Sequence, residues 1–349
     1  ARGGEGGYTL VTEARDGILE DLARVGAMWL GDVRDLWCGG DKVRCTRVVQ
    51  DLAGDGLVEV RRGCSDARRR YVVLTKKGIE VMGLGGSRRG SRMNVAAGER
   101  LAEQSALFVE LVRSGVRRED ILVSQELRAR ARLPYQSRPV LGLLQNSRLV
   151  VLIRAPISWK RWRRLLRYAS GVHDWVILAR DNRTWSRQLD TWVHGKCGTP
   201  TWIPKPSWSV PKLVEWLGSR DAGAWQAVRE ASRYGLDLAP APQRRARRYR
   251  TEDQQFWCHV GGQFCLLEDF RAFPVHRLCV LATPEGRAQE CGADCGVLAV
   301  VETARDASRL AKYLGPDAPW FFLVVGAHGI KLLRLRGKDL VQAGGGASA

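Results

Sequence analysis

Three short stretches concentrate the side chains that donate hydrogen bonds to phosphates and to base edges. DKVRCTRVVQDLAGDG (41–56) carries Lys42, Arg44, Thr46, Arg47 and Gln50. LVEVRR and RRRYVVL, around the turn GCSDA, carry Arg61, Arg62, Arg68, Arg69 and Arg70. WKRWRRLLRY (159–168) carries Lys160, Arg161, Arg163, Arg164 and Arg167. The planar guanidinium fork suits bidentate contacts to phosphate and guanine, so the chemistry expected of these residues is the gripping of a polyanion. The whole chain points the same way: 56 Lys and Arg against 37 Asp and Glu give a formal net charge of +19 and a pI near 10.1. Nucleic acid is favoured over a membrane surface because the cations are mostly Arg and no run of about 18 apolar residues is present. The plainer reading is a generically basic protein whose charged helix faces are merely solvated.

Residues that make and break bonds are sparse. The histidines (His173, His194, His259, His276, His328) include no His-hydrophobic-His pair, which leaves no rolling-circle metal site. The chain has no Gly-x-x-x-x-Gly-Lys-Ser/Thr loop for a nucleotide-driven motor, and it lacks the Arg, His-x-x-Arg and Tyr set of tyrosine recombinases. Cys258, His259, Cys265, Cys279, Cys291 and Cys295 cluster in sequence, and CGADC could present two thiolates, but no Cys-x-x-Cys knuckle occurs. Ordinary buried cysteines in strands are expected, although a metal at Cys258, Cys265, Cys279, Cys291 and Cys295 stays open. The nine cysteines lack the dense spacing of a small secreted scaffold and no apolar signal segment precedes them, so a reducing cytoplasm is expected. No cofactor is expected.

The elements that must position the basic residues follow from periodicity. Apolar spacing predicts helices at 16–27 and 29–37 and a third opening on Asp41, with Cys45, Val48, Val49 and Leu52 as its buried stripe. LVEVRR and RRRYVVL alternate as strands. Residues 61–92 hold ten basic side chains and two acidic ones. GLGGSRRGSRMN (83–94) reads as a linker, 98–115 as a helix, and EDILVSQELRARARL (119–133) as a strand or a helix. VLGLLQNSRLVVLIRAP supplies two strands across a turn at Asn146, then come the basic helix and the strand WVILARD (175–181). GTPTWIPKPSWSVP (198–211) cannot be regular for long. APAPQRRARRYR (239–250) reads as an exposed basic linker, the remainder as strands, a helix and further strands, and AGGGASA at the end as disordered. At 349 residues, two or three domains are expected: 8–84, 95–238 and 251–342. Residues 149–181 and 296–329 echo each other as strand, helix and strand, with Tyr168 and Tyr313 in matching places, through duplication or through common α/β grammar.

Three helices and a hairpin resemble a winged helix-turn-helix domain, and LAGDGLVEVRRG followed by YVVLTKKGIEVM matches the wording of that family's third helix, wing and closing helix over about 80 residues. That resemblance implies a third helix in the major groove and a wing on the backbone or minor groove. A protein-binding winged helix is the other possibility. The order winged helix, linker, helix, then VVLIRAPISWKRWRRLLRY (150–168) resembles the bacterial plasmid replication-relaxation family over roughly residues 10–185. It implies an α/β chain in which an N-terminal winged helix-turn-helix precedes a restriction-endonuclease-like α/β domain, here degenerate and possibly duplicated. Active members of the endonuclease-like superfamily place an acidic residue on the second strand and a Glu-x-Lys pair on the third, which hold Mg²⁺ and a water. This chain has Val140, Ile153, Arg154 and Pro156 at the corresponding places, among Arg148, Lys160 and the arginines of 161–167, with Glu126 a possible helix relic. The expectation is therefore a non-enzymatic, metal-free protein that binds double-stranded DNA of a plasmid or mobile element. Replication or transfer proteins and a second copy of the chain are possible partners, and no membrane is involved. Trp159 and Trp162 could stack on bases, or they could pack the helix onto its sheet. Two alternatives remain: a transcriptional repressor whose C-terminal part senses a ligand or dimerises, and a metal-dependent nuclease using Glu302, with Asp294, in the second echo.

Overall fold

The computed structural model describes residues 5–84, 93–133, 140–145, 148–194, 199–218, 220–236, 238–239, 256–292, 294–315, 319–326, 329–337 and 339–343. Most of the linker at 83–94, the turn at Asn146, the basic run 240–250 and the tail after 343 lie outside them. The architecture is mixed α/β, and the chain divides into two compact units: Ala1–Ile153 with Leu165–Val172, and Arg154–Arg164 with His173–Ala349. Among the described residues no helix is long and apolar enough to cross a membrane.

The first unit begins with α1 (Glu5–Val25), which buries Ala14, Ile18, Leu22 and Val25 at helical spacing. Its end is decided by Gly26 at φ +88°, a conformation that costs a side chain dearly. Residues 27–29, expected to lie partly in two helices, instead form the strand β1 (Ala27–Trp29). All three are buried, so a short extended segment between two helices gains both a ladder and a core face. Then come α2 (Leu30–Trp37) and α3 (Lys42–Gly54). Asp41 caps α3 by accepting from the amides of Val43 (2.8 Å) and Arg44 (3.1 Å). β2 (Val58–Arg62) and β3 (Arg70–Leu74) follow in a sheet of order β1-β3-β2, antiparallel throughout, with Arg61 opposite Tyr71. Thr75 caps α4 (Lys76–Val81).

α5 (Val95–Arg113) starts three residues before its expected position because Asn94 caps it. It lies on β1 and closes a core of Ala27, Trp29, Tyr71, Val73 and Ala102. Gly98 is required there: a Cβ would stand 2.7 Å from the Tyr71 ring. The stretch 119–133 proves to be both candidates in turn, β4 (Ile121–Leu122) and then α6 (Ser124–Ala131). β5 (Val140–Gln145) and β6 (Arg148–Arg154) complete an antiparallel meander β4-β5-β6, with Val140 opposite Ile153.

α7 (Trp159–Tyr168) leads to β7 (Asp174–Leu178), α8 (Asn182–His194) and β8 (Thr201–Trp202), which runs parallel to β7. The proline-rich segment is irregular after two residues of strand, as expected. α9 (Val210–Gly218), α10 (Arg220–Arg233) and β9 (Leu238–Ala239) precede β10 (Phe256–Val260), β11 (Gln263–Asp269), α11 (Val275–Leu281), α12 (Pro284–Glu290), β12 (Gly296–Val301), α13 (Ala304–Ala311), β13 (Trp320–Gly326), β14 (Gly329–Arg336) and β15 (Asp339–Gln342). These last seven strands form one sheet in sequence order, with β11, β12 and β13 mutually parallel and the other pairs antiparallel. Both echoing segments are strand, helix and strand, but they stand at different places. β6 is the third strand of its meander, whereas β12 follows the meander β9-β10-β11 through two helices. Tyr168 is exposed, while the Tyr313 hydroxyl donates to Asp190.

Candidate nucleic-acid interface

α3 buries the expected stripe Cys45, Val48, Val49 and Leu52, which turns the opposite face outward. Lys42, Thr46, Arg47 and Gln50 are exposed and Arg44 is half-buried. The Thr46 hydroxyl donates to the Lys42 carbonyl at 2.8 Å. Burial pushes the Cys45 thiol up to about 12, so it offers no nucleophile.

The hairpin β2–β3 divides its arginines into two groups. Arg62, Arg68, Arg69 and Arg70 are exposed. Arg61 is turned inward: one guanidinium nitrogen donates to Glu59 at 2.7 Å and another to the Met93 carbonyl at 2.6 Å. Arg69 lies 3.8 Å over the Trp29 ring and donates to Glu103 at 2.8 Å. The loop between the strands is held by Glu99 of α5, which accepts from the Cys64 and Ser65 side chains and from both backbone amides. Those hydrogen bonds, from Cys64 first, keep the Glu99 carboxyl below its usual range. The acidic pair Glu99 and Glu103, four residues apart on α5, is the signal that sequence reasoning passed over.

On α7, Lys160, Arg163, Arg164 and Arg167 are exposed and Arg161 is half-buried. At about 100° per residue the four exposed cations share one side of the helix, opposite Trp162. Trp162 is fully buried, 4.8 Å from Trp175 and 4.3 Å from Trp192, and Trp159 meets Trp192 edge-on at 5.9 Å. Trp162 thus packs its helix onto the interior and has no face left for a base.

The positions that would carry a nuclease centre are otherwise engaged. Val140 and Ile153 pair across β5 and β6. Glu126 accepts from Arg24 at 3.1 and 3.2 Å and from the Val123 amide at 2.9 Å, which ties α6 to α1. Glu302, past the end of β12, is bridged by Lys205 and Lys212, each at 2.7 Å, and Lys205 also meets Asp306 at 2.7 Å. Burial opposes the Glu302 charge, but the hydrogen bonds from Lys205 and Lys212 outweigh it and hold the carboxyl below its usual range. Asp294 is exposed in its turn. Among the described residues no group of three or more His, Cys, Asp or Glu side chains is arranged to hold a metal ion. Cys258 and Cys265 face each other across β10 and β11; they and Cys291 and Cys295 are buried, and Cys279 is half-buried. Desolvation pushes the Cys258 thiol up to about 12 and the Cys265 thiol further.

Comparison with protein-family models, with curated proteins and with solved structures found no match for this chain.

Proposed function

We propose that the chain is a sequence-specific double-stranded DNA-binding protein and not an enzyme, with residues 8–84 forming a winged helix-turn-helix whose third helix is α3 and whose wing is the hairpin β2–β3. One observation carries this reading: α3 buries Cys45, Val48, Val49 and Leu52 and turns Lys42, Thr46, Arg47 and Gln50, the side-chain types that read phosphates and base edges, outward together. The exposed Arg62, Arg68 and Arg70 and the net charge of +19 support it. The remaining α/β elements act as a degenerate endonuclease-like scaffold that adds non-specific grip through α7 or docks a partner. The resemblance to the plasmid replication-relaxation family makes the setting the bacterial cytoplasm and the role plasmid or mobile-element replication, transfer or their control. A repressor role is separated from this by footprinting over a promoter instead of an origin.

The test is selection of bound duplexes followed by substitution. Arg47→Ala is expected to weaken the selected duplex by about 1–3 kcal/mol, the value of a bidentate guanine contact, and to leave random duplex nearly unaffected. Equal losses on both would make Arg47 a phosphate contact and remove the claim that this helix reads sequence.

No cleavage is expected when supercoiled plasmid carrying the selected site is incubated with Mg²⁺ or Mn²⁺. A divalent ion needs carboxylates to offset its dehydration, and the best placed one, Glu302, already neutralises two lysines. Nicking that disappears in Glu302→Ala would overturn this and place an active centre in the C-terminal sheet.

A further inference from the structure

Val43, in the first turn of α3, is 72% exposed, more than any other large apolar side chain described. A single exposed valine is ordinary on a protein surface. This one has particular company. Val43, Thr46, Arg47 and Gln50 stand at i, i+3, i+4 and i+7, so they form one line down the centre of the exposed face. At about 100° per residue, Lys42 and Arg44 flank that line on opposite sides. The Thr46 hydroxyl is spent on the Lys42 carbonyl, which leaves its methyl group as the part of the side chain without a polar role. The amides of Val43 and Arg44 are already taken by Asp41, so the helix end itself offers no anion site. The centre of the line thus joins two apolar groups to two base-reading polar ones, between cations that suit the phosphates on either side.

We propose that Val43 and the Thr46 methyl group read the 5-methyl group of thymine in the major groove, beside bases read by Arg47 and Gln50. Among the four bases only thymine presents a methyl group in that groove, and an apolar side chain is the complement to it. The inference rests on the DNA-binding reading above and names the base that its sequence preference must include. Lys42 and Arg44 on either side of the line, with the exposed Arg62, Arg68, Arg69 and Arg70 of the hairpin that follows α3 in the chain, supply the charge complementarity that commits the proposal to duplex DNA.

The experiment uses the full chain and a selected duplex in which each thymine is replaced in turn by uracil, which removes the methyl group alone. Burying one methyl group corresponds to roughly a three- to tenfold change in affinity. Wild-type binding is expected to weaken by that factor at one or two thymines. Val43→Ala, an exposed position whose loss leaves the core intact, is expected to bind the thymine duplex three- to tenfold more weakly and to lose most of the thymine-over-uracil preference at one position. Random duplex should be bound equally by both proteins. A selected site without thymine in the contacted half, wild-type affinity indifferent to every uracil, or a preference undiminished in Val43→Ala would each overturn the inference while leaving sequence-specific binding in place. Failure to retain any duplex would overturn both readings.

Discussion

Replacing Lys205 by Met is expected to lower the unfolding free energy by about 3–5 kcal/mol at neutral pH, the usual cost of removing one partner from a buried ion pair. Lys205 stands between Pro204 and Pro206, just past β8, where the proline-rich chain cannot close its own backbone bonds. Its side chain is only 10% exposed, and it faces Asp306, 3% exposed, and Glu302. Asp306 also accepts from the Thr303 amide and hydroxyl, closing the N-terminal cap of α13. Without the lysine, two carboxylates face each other with Lys212 alone to neutralise one of them. The pH dependence follows from the direction of the Glu302 shift. A carboxyl held low in the folded state stabilises above its ordinary range, and that contribution fades as the pH falls through the folded value. In Lys205→Met the repulsion raises the Glu302 carboxyl instead, so the deficit should be largest near neutrality and shrink towards about pH 4–5 as Glu302 protonates. Urea unfolding followed by tryptophan fluorescence at both pH values checks this. Lys205→Met combined with Asp306→Asn should recover part of the loss. A deficit below about 1 kcal/mol at neutral pH would make the bridge no better than a surface pair.

If the proposed DNA binding holds, neutralising the outward side of α7 is expected to change its salt response more than any single substitution. Lys160, Arg163, Arg164 and Arg167 are exposed together, whereas Arg161 is half-buried. If each exposed cation displaces one counterion, replacing all four by Ala flattens the slope of log affinity against log salt by about 0.9 × 4, or roughly 3.6. Between 50 and 200 mM salt that corresponds to a difference of roughly a hundredfold in how steeply affinity falls. Trp162 and Leu165 hold the opposite side of the helix and are untouched, so the fold should survive, which circular dichroism verifies. Arg161→Ala should leave the slope near its original value. An unchanged slope in the fourfold variant would reduce α7 to a solvated or protein-binding face and confine the proposed DNA contacts to α3 and the hairpin β2–β3.

The features legible in the sequence were those set by interactions within a few residues. The buried stripe of α3 and its Asp41 cap, the hairpin, the basic helix and the strands around Asn146 all follow from periodicity and local hydrogen bonding, which operate over one or two turns of chain. The resemblance carried the winged-helix reading, and the same periodicity shows which face of α3 it would use. It did not single out Val43, because a valine in the first turn of an amphipathic helix reads as apolar whichever way it points.

What only the tertiary structure decided is where distant charges and short strands find partners. β1 is three residues long and exists because β3 and α5 supply a ladder and a cover for it. The hairpin arginines look equivalent in sequence, yet Arg61 is turned inward onto Glu59 and the Met93 carbonyl and Arg69, though exposed, is held by Trp29 and Glu103. Glu302 reads as a stranded catalytic carboxylate until Lys205 and Lys212, about ninety residues earlier, close on it. A helical or extended period records which side of an element is dry. The partner of a charge depends on which elements pack beside it, and that is a property of the whole fold.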